Sequence, residues 1–269
     1  MLTLFTLPKP FTGETASLQE AALRSWCLLD DVEVVLVGDE PGIAEAAARA
    51  GALHVGGVAL SPHGTPRLDD AFARVDEVAD GRLRVFVNAD IVLLPDLLDA
   101  VGAVRAFDAF LLVGQTRELA GEPTELDDRD ALRRRALADG ELRGVAAIDW
   151  FVFPAGLFDP LPPFVVGRAG FDNWLVWRGR QAGPVIDATH DVVAIHQPHG
   201  YGHLAAGKDE AYYGDEAAEN LRLGGGKQRT YTLHDASHRL VDGRLRRHYG
   251  ATLRARETAR KVGWKLGRR

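Results

Sequence analysis

The sequence predicts one α/β domain on a mainly parallel sheet with helices on both faces. Three observations carry the prediction. Strand-like and helix-like segments alternate as βαβαβαβ over the first ninety residues. The chain has 269 residues, 46% hydrophobic and 26% charged, enough apolar content for a sizeable core. No clean linker and no internal repeat divides it.

The elements follow in order. Leu2–Leu7 alternates weakly and stops at Pro8, the first strand. Leu18–Leu29 places Leu18, Ala21, Ala22, Trp26 and Leu29 at helical spacing. Val32–Gly38 is β-branched and runs into a Gly38-Asp39 turn. Pro41–Gly51 is Ala-rich, with Pro at its start and Gly at its end, a helix. Leu53–Val58 reads as a short strand, 66–79 as a helix and 83–88 as a strand. Beyond lie a strand at Phe110–Gly114, a charged helix at Asp127–Asp139 and a buried strand at Ala147–Phe153 that ends at Pro154. A Pro/Gly loop at 158–170 leads to an aromatic helix at Phe171–Gln181. Strands follow at Val185–Ile186 and Val192–Ile195. Residues 197–230, rich in Gly and His, are expected to include mobile loops.

Cys27 is the only cysteine, which excludes an intrachain disulfide and CxxC zinc sites and fits a reducing, cytoplasmic compartment. The opening Met1-Leu2-Thr3-Leu4-Phe5-Thr6 has no basic segment and reads as a strand rather than a signal peptide. No apolar run approaches the ~20 residues of a membrane span. The net charge of −6 hides an asymmetry: residues 244–269 hold ten Lys and Arg against Glu257 alone. The acidic body, 1–243, disfavours nucleic acid as the main partner. The basic 244–269 segment is a solvated helix or tail, or a peripheral contact for anionic lipid at the inner face of a membrane, with Trp264 among its bases.

Ligands of such sheets bind at the carboxyl ends of the strands, which directs attention to Thr6–Phe11, Asp39 and Asn88-Ala89-Asp90. Asp90 follows the apolar run Val85-Phe86-Val87 and precedes Ile91-Val92-Leu93. A carboxylate there must be paired or hold a metal. A hard divalent cation takes one or two carboxylates and completes its shell with phosphates and water. That chemistry suits transfer from a nucleoside diphosphate, where the cation offsets charge on the leaving group. Alternatively, Asn88 and Asp90 form a turn or cap the helix near Pro95.

The order of parts resembles the GT-A glycosyltransferases, particularly bacterial family 2-like members, over roughly residues 1–200. The resemblance implies a Rossmann-like GT-A sheet. It implies that Thr6 and Pro8 of the first loop flank a nucleotide and that Asp39 meets its base or ribose. Thr65 and Arg67 would supply further nucleotide contacts, and Asn88-Ala89-Asp90 would stand at the D-x-D position. Mg²⁺ or Mn²⁺ is the implied cofactor, with Asp90, Asn88 and His196 as ligands. Asn88 replaces the first Asp of that pattern; its carbonyl oxygen can still accept from a ribose hydroxyl or bind metal.

Gly170-Phe171-Asp172-Asn173-Trp174-Leu175 resembles the E-D-x-x-L segment that carries the base of inverting members. Asp172 matches its Asp and Phe171 replaces its Glu. The resemblance implies that Asp172 takes a proton from an acceptor hydroxyl. Aromatic neighbours would raise its pKa, and an N-cap role is compatible. Asp149 is the second candidate base or a ligand for sugar hydroxyls; otherwise it is a buried Asp paired with an Arg such as Arg168. Trp150, Asn173 and Trp174 are the candidate acceptor or sugar contacts. The Gly-rich loop after His196-Gln197-Pro198-His199 carries Tyr201, His203 and Lys208, and Lys208 could bind diphosphate.

The expected activity is sugar transfer from a nucleotide sugar to a glycan or glycolipid hydroxyl, metal-dependent and inverting. Two rivals remain: a nucleotidyltransferase acting on a sugar phosphate, and a non-catalytic carbohydrate-binding protein on the same fold. The first is disfavoured because Thr6–Gly13 offers only Lys9 as a base. Nucleophile-elbow, Walker and G-x-G-x-x-G motifs are absent from the expected places.

Overall fold

The computed structural model describes residues 1–121, 126–200, 207–248 and 255. Its first seven elements are β1 (Leu2–Thr6), α1 (Gly13–Cys27), β2 (Val32–Val37), α2 (Ile43–Ala50), β3 (Leu53–Val55), α3 (Leu68–Val78) and β4 (Leu83–Val87). The four strands pair parallel: β1 lies between β2 and β4, and β3 extends the edge beyond β2. Then come β5 (Ile91–Val92), α4 (Asp96–Val104), β6 (Leu111–Val113), β7 (Thr116–Glu118), α5 (Arg129–Asp139), β8 (Glu141–Leu142) and β9 (Trp150–Pro154). The chain continues through α6 (Phe171–Ala182), β10 (Val185–Asp187), β11 (Ala194–His196), α7 (Gly207–Tyr213), α8 (Asp215–Leu223), β12 (His238–Val241) and β13 (Arg244–Arg247).

The large sheet has the order β13-β12-β10-β6-β9-β4-β1-β2-β3. β9 runs antiparallel between β4 and β6, and so joins two parallel blocks. A second sheet, β5-β11-β7-β8, stands beside it. Side chains alternate across each strand. Leu2, Leu4, Val85 and Trp150 join one apolar layer with Trp26 of α1 and Leu97 of α4. Phe5, Phe86, Phe151 and Phe153 join the opposite layer with α3 and α6. There the Phe5–Phe86 and Phe86–Phe151 centroids lie 5.3 and 6.0 Å apart. Such pairs add about 0.5–1.5 kcal/mol each beyond area burial. Leu132 and Ala136 of α5 cover the small sheet through Val193 and Ile195.

Two expectations change. Residues 207–223 are helices α7 and α8 rather than loop, because Asn220 of α8 is buried and clamps Val165 N and O. Tyr201 and His203 lie outside the described residues. The basic segment expected to start at 244 begins instead as a sheet strand. Asp242 and Gly243 both take positive φ, the geometry of a tight hairpin, and β13 pairs antiparallel with β12. Trp264 and most of the remaining tail lie outside the described residues. Among the described residues no helix is long and apolar enough to cross a membrane.

Candidate functional site

The site forms where β1, β4 and β11 end. β4 stops at Val87, and Asn88 N donates to Asp149 O at 2.8 Å. The chain then turns through Ala89 and Asp90 into β5. Helix α1 supports this turn from behind. Trp26 Nε1 donates to Ile91 O at 2.9 Å, and Leu93 N donates to Ser25 Oγ at 3.2 Å. Gln197 is buried and donates from one amide nitrogen to Leu18 O at 2.8 Å and to Asp90 O at 3.0 Å.

Pairing of β11 with β5 sets His196 opposite Ile91 and so beside Asp90. Asp90 Oδ2 lies 3.2 Å from His196 Nε2 and 2.9 Å from His199 Nε2. Possible ligand atoms of the three residues all fall within 4.8 Å of one another. Burial opposes ionisation of Asp90, but the bonds from His196 and His199 outweigh it and hold the carboxyl well below the usual range. The same bond to Asp90 raises His199 against its own burial. One carboxylate oxygen facing two imidazole Nε2 atoms is a donor set that fits a divalent cation. His199 was not among the ligands expected beside Asp90; pairing of β11 with β5 is what brings the segment that carries it to this turn.

Asn88 turns its amide nitrogen to Asp149 Oδ1 at 2.9 Å. Asp149 is buried, and its Oδ2 accepts from Thr116 Oγ1 at 2.9 Å and from Arg143. The partner of Asp149 is therefore Arg143. Arg168 pairs instead with Glu216 at 3.0 Å. With both oxygens engaged by donors, Asp149 is poorly placed to accept a substrate proton.

Asp172 sits at the first turn of α6, where Gly170 N donates to Oδ1 at 3.3 Å. Burial, aided by the charge of Asp149, pushes its carboxyl up to about 6 against the backbone N–H groups of Asn173 and Gly170. Lys9 closes the site from the first loop. Gln19 grips its backbone, accepting from Lys9 N at 2.7 Å and donating to Lys9 O at 3.0 Å. Burial lowers the Lys9 ammonium; the charge of Asp90 acts against that and that of Arg168 with it.

The other candidates divide. Thr6 is buried at the end of β1 with a hydroxyl that has no partner, and Pro8 is buried beside it. Asp39 is exposed and accepts from Gly57 N at 2.7 Å. Thr65 gives its hydroxyl to Glu216 at 2.8 Å, and Arg67 forms a two-point pair with Asp69. Lys208 is exposed on α7, over the ring of Tyr212 at 5.7 Å. The expected sugar-stacking tryptophans are a correction. Trp150 is fully buried in β9, and Trp174 is 5% exposed and packs on Phe164, so neither offers a ring face to a sugar. Asn173 spends its amide on Ala146 O and on Tyr231 O.

No protein-family model and no curated protein matches the sequence. Solved structures do match its shape. S. aureus TarS 1–349 in complex with UDP-GlcNAc superposes with TM-score 0.54 at 14% identity, covering 83% of this chain and 65% of that one. The same protein with UDP gives 0.51 at 13% identity, with coverages of 83% and 64%. The fold is of the GT-A type. The chain spans just under two thirds of the length of TarS 1–349. Glucosyl-3-phosphoglycerate synthase from Mycobacterium tuberculosis gives 0.48 at 16% identity, with coverages of 84% and 81%.

Proposed function

We propose that this chain is a glycosyltransferase that takes a sugar from a nucleotide sugar, with a divalent cation held by Asp90, His196 and His199. The observation that carries this reading is the convergence of those three side chains at the end of β4, in a sheet of GT-A type. Two imidazoles beside one carboxylate suit Mn²⁺ better than Mg²⁺, which prefers an all-oxygen shell. When bound, the cation would supply positive charge to the diphosphate as it departs.

The protein's own groups do the rest. Asn88, with its nitrogen turned to Asp149, leaves its carbonyl oxygen for a ribose hydroxyl or the cation. Lys9 adds a fixed positive charge beside Asp90. Asp172, with its carboxyl at about 6, is ionised at neutral pH yet basic enough to take the acceptor's proton, which favours inversion. The acceptor is a hydroxyl compound, and the sugar-stacking aromatics first expected for it are not supported. The neighbour crystallised with UDP-GlcNAc makes uridine donors the first to test.

The test is binding followed by turnover. UDP and GDP, each with and without Mn²⁺, should raise the melting temperature, with Mn²⁺ increasing the effect. Incubation with a panel of nucleotide sugars should then release a free nucleoside diphosphate. Release of pyrophosphate from a nucleoside triphosphate incubated with a sugar phosphate would indicate a nucleotidyltransferase instead. Binding without turnover across donors and acceptors would indicate a carbohydrate-binding protein.

A further inference from the structure

Four side chains, joined by five contacts, link the two ends of the Asn88-Ala89-Asp90 turn through the protein rather than along it. From Asn88 the amide nitrogen reaches Asp149 Oδ1 at 2.9 Å. Asp149 Oδ2 meets Arg143 Nη1 at 2.5 Å. Arg143 Nε faces Glu118 Oε2 at 4.0 Å. The same Glu118 oxygen faces His196 Nδ1 at 3.6 Å, and His196 Nε2 returns to Asp90 at 3.2 Å. Arg143 stands in the middle, with 18% of its side chain exposed, and is the cation that both carboxylates face.

The backbone explains why these groups meet. Parallel pairing of β7 with β11 sets Glu118 opposite His196. Arg143 follows β8, and its N–H donates to Thr116 O of β7 at 2.9 Å. Glu118, Arg143 and His196 thus belong to the small sheet, whereas Asn88 and Asp149 flank β4 and β9 of the large one. The Arg143–Asp149 pair bridges the two sheets.

We propose that Arg143 is a positioning residue that couples the nucleotide side of the site to its metal side, fixing the Asn88 amide through Asp149 and the His196 ring through Glu118. This rests on the glycosyltransferase reading above. The planar guanidinium can face two carboxylates in fixed directions at once, which an ammonium cannot do equally well. Asp149, held at Oδ2 by Arg143 and Thr116, accepts at Oδ1 from the nitrogen of Asn88, never from its oxygen, and so turns the amide oxygen outward. Glu118 facing Nδ1 of His196 favours the tautomer that leaves Nε2 as the ligand atom. His196 Nδ1 is buried and has no hydrogen-bond partner, so Glu118 is the acceptor nearest to satisfying it.

The experiment measures two affinities separately on the full chain: Mn²⁺ without nucleotide, by electron paramagnetic resonance, and UDP without metal, by calorimetry. Glu118→Gln breaks only the metal arm. It should weaken Mn²⁺ by about tenfold, the lower range for loss of an outer partner of a metal ligand, and leave UDP unchanged. Arg143→Gln should weaken both, and Arg143→Lys should recover UDP affinity more than Mn²⁺ affinity. Glu118 is half exposed, so its variant tests the proposal even if Arg143→Gln does not fold. Wild-type Mn²⁺ affinity in Glu118→Gln overturns the coupling and leaves the glycosyltransferase reading standing. Failure of the unaltered protein to bind Mn²⁺ or UDP overturns both. Equal losses of Mn²⁺ and UDP in Glu118→Gln, tracking a lower melting temperature, would mark a structural role and also overturn the coupling.

Discussion

Asp90 Oδ2 stands 2.9 Å from His199 Nε2 across 109 positions of sequence, and His196 reaches the same oxygen at 3.2 Å. One carboxylate oxygen serving two imidazoles is an arrangement that a cation can take over without moving the backbone. His199→Ala should therefore lower Mn²⁺ affinity by about tenfold or more, and Asp90→Ala should remove it and with it sugar transfer. Titration with Mn²⁺ checks the first and product release the second. Turnover of Asp90→Ala at the unaltered rate would remove the metal role.

Asp172 carries its own pH signature. Its folded pKa of about 6 predicts a transfer rate that falls as pH drops below that value, because the protonated carboxyl cannot accept a proton. Asp172→Asn should keep donor binding, lose the acid limb of the profile and lower the rate by roughly 10²–10⁴-fold. A variant with the unaltered rate would exclude this residue as the base.

The same shift makes a stability prediction with a definite sign. The folded-state value of about 6 exceeds the ordinary value of 3.8 for an Asp side chain, so between them the folded state holds the extra proton. The contribution of this group to stability falls as pH rises through that window and stays at its lowest above it. Asp172→Asn should raise the melting temperature at pH 7 and gain progressively less as pH approaches 4. A gain equal at both pH values would contradict the shift.

How much of this could be read beforehand depended on length and face. Strands β1, β2 and β4 and the first helices carry enough apolar residues to show a period, so Val32–Val37 and Pro41–Gly51 announced themselves. Of the small sheet only β11 was anticipated, as Val192–Ile195; β5 and β8, Ile91–Val92 and Glu141–Leu142, are two residues each, too short for any pattern. Asp90 was legible as a polar residue after an apolar strand. Arg143 and Glu118 were not, since only the pairing of β7 with β8 and β11 brings them near. Trp150 was misjudged because composition cannot say which neighbours cover a ring, and here Gly114 lies directly against it. Lys208 was placed by its Gly-rich surroundings, whereas Lys9, unremarkable in sequence, is held beside Asp90 by Gln19.

Lys9 gives a prediction that follows from that placement. A part-buried ammonium gains more from an incoming anion than an exposed one, because less water competes. Its depressed basicity in the free protein is the other side of the same burial. Lys9→Met should weaken UDP binding by about 10–100-fold, the range for losing a charged hydrogen bond of about 1.5–3 kcal/mol, and leave uridine binding unchanged. Calorimetry with both ligands checks it, and an equal effect on uridine would show that Lys9 does not meet the diphosphate.

Gln197 shows how the candidate metal ligands depend on the helix behind them. Its amide nitrogen ties Leu18 O of α1 to Asp90 O, so the turn that carries the carboxylate is braced against a helix buried through Ala22, Leu23 and Trp26. Gln197→Leu keeps the volume but removes two part-buried hydrogen bonds, those to Leu18 O and Asp90 O, which should cost about 1–3 kcal/mol of stability in all. If the brace also sets where Asp90 points, Mn²⁺ affinity should fall at temperatures where the variant is fully folded. Denaturant melts and Mn²⁺ titrations on one preparation separate the two effects. A loss of stability with unaltered Mn²⁺ affinity would confine Gln197 to the scaffold and leave the aim of Asp90 to His196 and His199 alone.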